Sequence, residues 1–432
     1  MPDQPLGCDL LIHSAAQVLT LAGGPQRGAR LGELGLIENG AVAISGGRIL
    51  LAGPSAEVVS RVRPRAAIDA TGRVVLPGFV DPHTHLIWIG DRANEFEMRL
   101  AGANYQEIMQ AGGGIMSTVR QTRAASVDQL VEAARPRLRR MLAHGTTTVE
   151  AKTGYGLATE PELRQLQAII RLAAEGPMTV VPTFLAAHAV PAEFAGHADA
   201  YVDLVVEEML PAAAERFLSP HPSTVNRHPA PVFADVFCEA GAFDLAQSRR
   251  VLERARDLGF GLKIHADEFS SQGGAALAVA LGAASADHLV YTPADDIAAL
   301  GRGETVAVAL PGTPFGLAQR DYTPAGRILA AGGLLALATD LNPGTTWCES
   351  MQMVIALACR YMRLTPAQAI AAATINAARA VGLDGEVGSL EPGKQADVLV
   401  LDAPDYRHLG YRYGTNLVQT VIKAGAIVVN LS

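Results

Sequence analysis

The apolar run VVLPGFV ends in Asp81-Pro82-His83-Thr84-His85. Side chains at i and i+2 of a strand share one face, so His83 and His85 would project together. Two imidazoles on one face suit a transition metal such as zinc or iron. An isolated HxH pair also fits two hydrogen-bonded histidines in a turn, so further groups must decide. Three more polar residues close apolar runs: His265 in GLKIHADEF, His288 in SADHLV and Asp340 after LLALAT. Each alone reads as a helix cap or a solvated loop residue. They become one constellation if their runs are parallel strands of a single barrel, because the C-terminal ends of such strands open on one mouth.

The elements needed for that are present. Eight runs read as strands: GFVDPHTH, TTTVEAKTG, TVVPTFLAAH, ADVFCEAG, GLKIHADE, ASADHLV, ETVAVALPG and GLLALATD. Each is followed by an amphipathic helical stretch or a loop. Ser126 to Gln129 is a capping-box pattern, and Val127, Leu130, Val131, Ala134 and Leu138 fall on one helical face. Asp244 opens another helix, with Gly259 at its expected stop. The pattern predicts an α/β fold with a (β/α)8 TIM-type barrel over 78–379. Segments 1–77 and 380–432 read as short strands broken by glycines, and are expected to pair into a small β-sandwich domain. The stretch Glu215–Pro231, rich in proline and polar residues, reads as a surface loop.

Composition narrows the function classes. With 432 residues, 49% of them hydrophobic, the chain can bury a large core and is not disordered. Lys plus Arg number 35 against 43 Asp plus Glu, a net charge of −8. That balance argues against nucleic acid and anionic membranes as partners, since both need clustered cations. No apolar run reaches the roughly 18 residues of a membrane span, and the N-terminus lacks a signal-peptide pattern. Cys8, Cys238, Cys348 and Cys359 show no CxxC spacing. A reduced, cytoplasmic protein is the expectation.

HxH after strand one, histidines after strands five and six and an aspartate after strand eight resemble the amidohydrolase superfamily. The blocks GDRANEFEMRLAG, AGGGIMSTVRQTR, EAKTGYGL, HAVP, LKIHADEF and DLNPGT narrow the resemblance to its imidazolonepropionase family. It extends over nearly the whole chain. It implies that His83, His85, His265 and Asp340 bind one metal ion, zinc or iron, which would bring the pKa of a bound water toward about 7. A binuclear relative would usually add a lysine from strand four, and ADVFCEAG has Glu239 but no lysine. The implied substrate is 4-imidazolone-5-propanoate, opened by water to N-formimidoyl-L-glutamate.

The resemblance also assigns roles. Glu268 becomes substrate contact and proton shuttle, although strand alternation alone would favour Asp267, which is then structural. His288 would polarise the carbonyl or orient the water, and Asp340 would also accept a proton. Arg92 would clamp the propanoate carboxylate. Tyr155, His188, Asn342, Gly344 and Thr345 become substrate contacts. Glu150 and Lys152 are held as charged supports near the mouth. A homodimer is implied as well.

Some features stay outside this scheme. Gly112-Gly113-Gly114 lacks the GK[ST] of a phosphate loop and reads as a mobile loop or a tight turn. His144 reads as a helix-end residue. His13, His197, His221, His228 and His408 carry no role. Two other readings share part of the pattern. An aminohydrolase of nucleobases would keep the metal donors and not need Arg92. A catalytically dead binding barrel would usually have lost a metal donor.

Overall fold

The computed structural model describes residues 5–102, 107, 113–218 and 231–431. Positions 219–230, most of the polar stretch before strand four, lie outside the described residues, as does Gly112. Residues 215–217 finish the helix Leu210–Phe217. Gly114 precedes the helix Ile115–Ala124.

Five strands come first: β1 (Leu6–Leu19), β2 (Leu36–Ser45), β3 (Arg48–Pro54), β4 (Val62–Asp69) and β5 (Val74–Pro77). Eight follow: β6 (Phe79–Asp81), β7 (Thr146–Lys152), β8 (Thr179–Ala187), β9 (Phe233–Cys238), β10 (Gly261–Ala266), β11 (Ser285–His288), β12 (Val306–Ala309) and β13 (Leu334–Leu337). The chain then returns to β14 (Val398–Leu401), β15 (Val418–Lys423) and β16 (Ala426–Asn430).

β6 to β13 pair in sequence order, every pair parallel. These are the eight runs read from the sequence. β7, β11, β12 and β13 are buried along their whole length, as a parallel sheet covered on both faces requires. The seam between first and last strands closes just beyond their ends. His85 N–H donates to Leu341 O at 2.8 Å, and Asp340 N–H to His83 O at 3.1 Å. Asp81 seals the same seam, accepting from Thr339 N at 3.1 Å and Thr339 Oγ1 at 2.6 Å.

The outer helices form for the reasons legible in their ends. Ser126 and Gln129 make both halves of a capping box on the helix Val127–Ala143, worth about 1 kcal/mol. Leu130, Val131, Ala134 and Met141 bury one face of it. Asp244 and Gln247 cap Leu245–Asp257 likewise. His144 ends its helix, with Nδ1 2.8 Å from Arg140 O. Among the described residues no helix is long and apolar enough to cross a membrane. The four cysteines are unpaired.

The terminal strands form one hydrogen-bonded mixed sheet, ordered β16-β15-β14-β5-β1-β2-β3, with β4 on β1. β1 carries the bend. Its register on β2 breaks between Ile12 and Ala15, where Ser14 has φ 57°. Before the break β1 pairs with β4, and after it with β5. Ile49 of β3 and Ile422 of β15 stand near opposite ends of the sheet order, yet share a buried cluster with Ile12, Val42 and Val398. Backbone bonds from Ala396 N to Gly47 O and Ile49 N to Lys394 O, both 2.9 Å, tie the facing layers. The two layers thus share a core and are joined through continuous pairing.

Gly145, just before β7, is a place where barrel and sheet approach closely. Its φ is +96°, and a Cβ there would lie 2.9 Å from Leu399 Cδ1 and 3.0 Å from Val418 Cγ2. Gly145→Ala is therefore expected to destabilise the protein by about 2–4 kcal/mol, from backbone strain plus overpacking. A fall in the thermal unfolding midpoint would register this, and an unchanged midpoint would refute the close approach.

Candidate active site

Five buried side chains converge at the barrel mouth: His83 and His85 beyond β6, His265 in β10, His288 ending β11 and Asp340 beyond β13. Nε2 of His265 lies 3.3 Å from Nε2 of His85. Oδ1 of Asp340 lies 3.5 Å from His83 Nε2 and 3.6 Å from His85 Nε2. Ligand atoms about 2.0–2.1 Å from a tetrahedral ion stand about 3.3 Å from each other, so the spacing is that of a coordination shell. Nε2 of His83 and of His288 have no hydrogen-bond partner among the described residues. An orphaned buried nitrogen costs about 1–3 kcal/mol, which a bound cation would remove. Donor atoms of His83, His85 and His265, and of His83, His288 and Asp340, group within 4.8 Å. This set fits one metal ion.

Burial, reinforced by neighbouring rings and by Lys152, holds His83, His85 and His288 well below the usual imidazole range. Neutral rings keep the lone pair a metal needs. Two carboxylates fix which nitrogen offers it. Asp287 Oδ2 stands 2.6 Å from His83 Nδ1, and Asp235 Oδ2 stands 2.9 Å from His265 Nδ1. At His83 the Nδ1–H held by Asp287 leaves Nε2 facing the candidate metal position, and at His265 the carboxylate of Asp235 lies beside Nδ1 at ion-pair distance. Behind them Lys152 Nζ reaches Asp235 Oδ2 at 2.8 Å and Glu150 Oε1 at 2.9 Å. Lys263 Nζ donates to Pro82 O at 2.6 Å and lies 3.1 Å from Glu150 Oε1. Burial opposes the charge on Lys152, but Asp235, Glu150 and Asp287 outweigh it and raise its pKa.

The strand ends are strained. Asp267, His288, Leu289 and Asp340 take φ of 53°, 78°, 62° and 54°, a left-handed conformation that costs about 1–3 kcal/mol each outside glycine. At Asp267 the twist separates two adjacent acids. Asp267 accepts from Gln272 N at 3.1 Å and Thr292 Oγ1 at 2.9 Å, pinning the loops after β10 and β11. Glu268 instead turns to the centre, with Oε2 3.6 Å from His288 Nε2. Burial, then the nearby Asp340, push its carboxyl well above the usual range. Glu239 accepts from Phe269 N at 2.9 Å and so braces the loop that carries Glu268. Burial also raises Asp340, to about 6, against the hydroxyl that Thr313 donates to it.

Around this centre stand the remaining candidates. His188 stacks on His85, ring centroids 4.7 Å apart, and its Nδ1 lies 3.0 Å from Gly154 O. Burial pushes its pKa down to about 3. The buried Tyr155 ring lies 5.4 Å from that of His188. Glu162 shapes this loop by accepting from the backbone N–H of Gly154, Gly156 and Leu157. Arg92 Nε donates to Thr118 Oγ1 at 3.0 Å. A Cβ on Gly344 would sit 2.5 Å from Arg92 Nη1, so only glycine lets the guanidinium lie there undisturbed. Arg92, Gly344 and Thr345 help line a cleft of about 600 Å³ beside the mouth.

Asn342 is engaged in a turn beside the site. Its Nδ2 donates to Asp340 O and Thr345 Oγ1, and its Oδ1 accepts from Gly344 N and Thr345 N, each at 2.8 Å. A carboxamide has two donors and two lone pairs, and all are used here. Asn342 builds the turn that presents Thr345 and Gly344.

Sequence reading missed the supports Asp235, Asp287 and Lys263. A signal existed: charged residues inside apolar strands, with Lys263 two positions from His265 and so on its face. Asn342→Ala is expected to cost the free protein about 2–4 kcal/mol, at about 1 kcal/mol per lost bond. Thermal unfolding without substrate checks this, since a residue that only touches substrate would leave the midpoint unmoved.

Comparison with known proteins places the family and the fold. Residues 74–428 match the amidohydrolase family. The imidazolonepropionase of Herpetosiphon aurantiacus is 53% identical over 420 residues, covering 97% of this chain and 97% of the relative. That of Chloroflexus aggregans is 54% identical over 424 residues, covering 98% and 99%. Among solved structures, an adenosine deaminase from Xanthomonas campestris with bound zinc aligns at TM-score 0.71, with 19% identity, over 99% of this chain and 94% of that one. Escherichia coli guanine deaminase aligns at TM-score 0.70, with 15% identity, over 97% and 98%. At such identities these structures speak for the fold alone. On family match, full-length identity and barrel architecture, the chain belongs to the imidazolonepropionases of the amidohydrolase family.

Proposed function

We propose that the chain hydrolyses 4-imidazolone-5-propanoate to N-formimidoyl-L-glutamate, a step in histidine degradation. The observation that carries the reading is the cluster of imidazole nitrogens and Asp340 Oδ1, spaced as metal ligands, at the mouth. The full-length likeness to proteins named imidazolonepropionase supports the substrate. His83, His85, His265 and Asp340 would hold one ion, zinc or iron. When bound, the ion supplies a Lewis acid for the carbonyl and a nucleophilic water near neutral pH.

The chain's own groups do the rest. Arg92 pairs with the propanoate carboxylate in a bidentate geometry. Tyr155, His188, Gly344 and Thr345 surround the ring. Water adds to the ring carbonyl carbon, and Asp340 takes a proton from it. His288 polarises the carbonyl oxygen. The ring carbon–nitrogen bond then breaks, and Glu268 delivers a proton to the departing nitrogen. The raised pKa of Glu268 suits it to hold a proton until that step. Homodimer assembly, implied by the resemblance, and a cytoplasmic setting, expected from the cysteine usage, belong to the same proposal.

Turnover of freshly generated 4-imidazolone-5-propanoate should exceed the spontaneous decay of a buffer blank, stop on chelation and return with metal. Fully metallated protein without acceleration would overturn the substrate assignment and leave the barrel standing. Glu268→Gln should lower kcat by about 10²–10⁴-fold, the range for a lost general acid. Asp267→Asn should lower the thermal midpoint and spare kcat by comparison. The reverse ranking would give the proton shuttle to Asp267.

A further inference from the structure

Beneath the metal position the barrel buries five charged side chains, Glu150, Lys152, Asp235, Lys263 and Asp287, each 0 or 1% exposed. Unpaired, any of them would cost several kcal/mol, and paired they stabilise little against apolar residues of equal volume. Their presence therefore calls for a role other than stability, and the contacts indicate one. Lys152 stands between the two carboxylates that orient metal-site histidines. Its Nζ lies 2.8 Å from Asp235 Oδ2, the oxygen that also faces His265 Nδ1 at 2.9 Å. The same Nζ lies 3.7 Å from Asp287 Oδ2, the oxygen bonded to His83 Nδ1 at 2.6 Å. Oδ1 of Asp287 has no hydrogen-bond partner among the described residues, so that carboxylate is held through Oδ2.

We propose that Lys152 is a positioning residue for the metal site, tying Asp235 and Asp287 into one unit that aims Nε2 of His265 and His83 at the same point. The histidines come from opposite sides of the barrel wall, β6 and β10, and Lys152 from a third strand, β7. Without the ammonium, each carboxylate loses the contact that fixes its distance from the other. Each imidazole can then turn about its own side-chain torsions, and the two Nε2 atoms no longer share a focus. Supports of ligating histidines are typically worth about 10–100-fold in metal affinity. Lys152 acts through both supports at once. Glu150 completes the arrangement: its Oε1 holds Lys152 at 2.9 Å and Lys263 at 3.1 Å, leaving neither ammonium bare.

This inference rests on the metal-ligand reading and not on the substrate, so the decisive measurement is zinc binding. Zinc dissociation constants are measured by chelator competition on the full chain and on the variants Lys152→Met, Asp235→Asn and their combination. Folding of each apo form is followed by circular dichroism. Lys152→Met should raise the dissociation constant by about 10–100-fold. The double variant should be no weaker than about the weaker single one, because Lys152 and Asp235 act as one unit. Cobalt-loaded Lys152→Met should also show an altered visible spectrum, which a change in stability alone would not produce. If Lys152→Met fails to fold, Lys152→Gln takes its place, keeping a donor and losing the charge. Unchanged zinc affinity in a folded variant, or effects that multiply in the double variant, would overturn the proposal. His265→Ala serves as the control for the ligand reading itself: full zinc affinity in that variant would mean that the ligand assignment, rather than Lys152, is at fault.

Discussion

Closure of the barrel seam is the constraint on which the site depends. A parallel sheet of eight strands has two edges, each with unpaired backbone groups. Here the edges meet through Thr84 and Leu341. The same backbone bonds that join them, His85 N to Leu341 O and Asp340 N to His83 O, run through residues of the candidate metal site themselves. Residues distant in the chain are thereby held within 3.6 Å of one another. Satisfying the sheet edge and assembling the site are one structural act. The left-handed backbone at Asp340 is the local cost, and it persists because both sides of the seam over-determine it.

Behind the seam the barrel interior is charged, which is unusual for a core. Burying Glu150, Lys152, Asp235, Lys263 and Asp287 stabilises little even when every group is paired. What it supplies is direction. A neutral imidazole can present either nitrogen, and a carboxylate on Nδ1 settles which. Aliphatic side chains of the same volume would pack as well and would leave both tautomers open. The site is thus rigid because its supports are electrostatic, short and themselves anchored on strands.

Much of this was legible in the sequence, for identifiable reasons. The eight barrel strands show as apolar runs with turn signals, and the capped helices show through Ser126 and Asp244, because those signals are local. His83 and His85 were placed together by strand alternation alone. Asp235 and Asp287 show only as charged residues inside apolar strands, and their partners lie on other strands, so their role is not legible locally. The turn that Asn342 builds was not legible for a related reason. A carboxamide beside a site residue looks free until the turn that consumes its hydrogen bonds is seen. The bend at Ser14, which lets one sheet serve as both layers of the terminal domain, depends on pairing with β4 and β5 and leaves no trace in composition.

The pair Asp267 and Glu268 shows where alternation ceases to govern. Strand periodicity gives Asp267 the face of His265, and it would hold if the strand continued. β10 ends at Ala266, and Asp267 adopts a left-handed φ of 53°. That single rotation sends the Asp267 carboxylate to Thr292 and Gln272 and brings Glu268 against His288. The two acids then differ in environment. Burial raises the pKa of both: at Asp267 the two accepted hydrogen bonds oppose the rise, while at Glu268 the neighbouring Asp340 adds to it. Two adjacent acids thus meet different surroundings, and one backbone torsion decides which of them faces the histidine cluster.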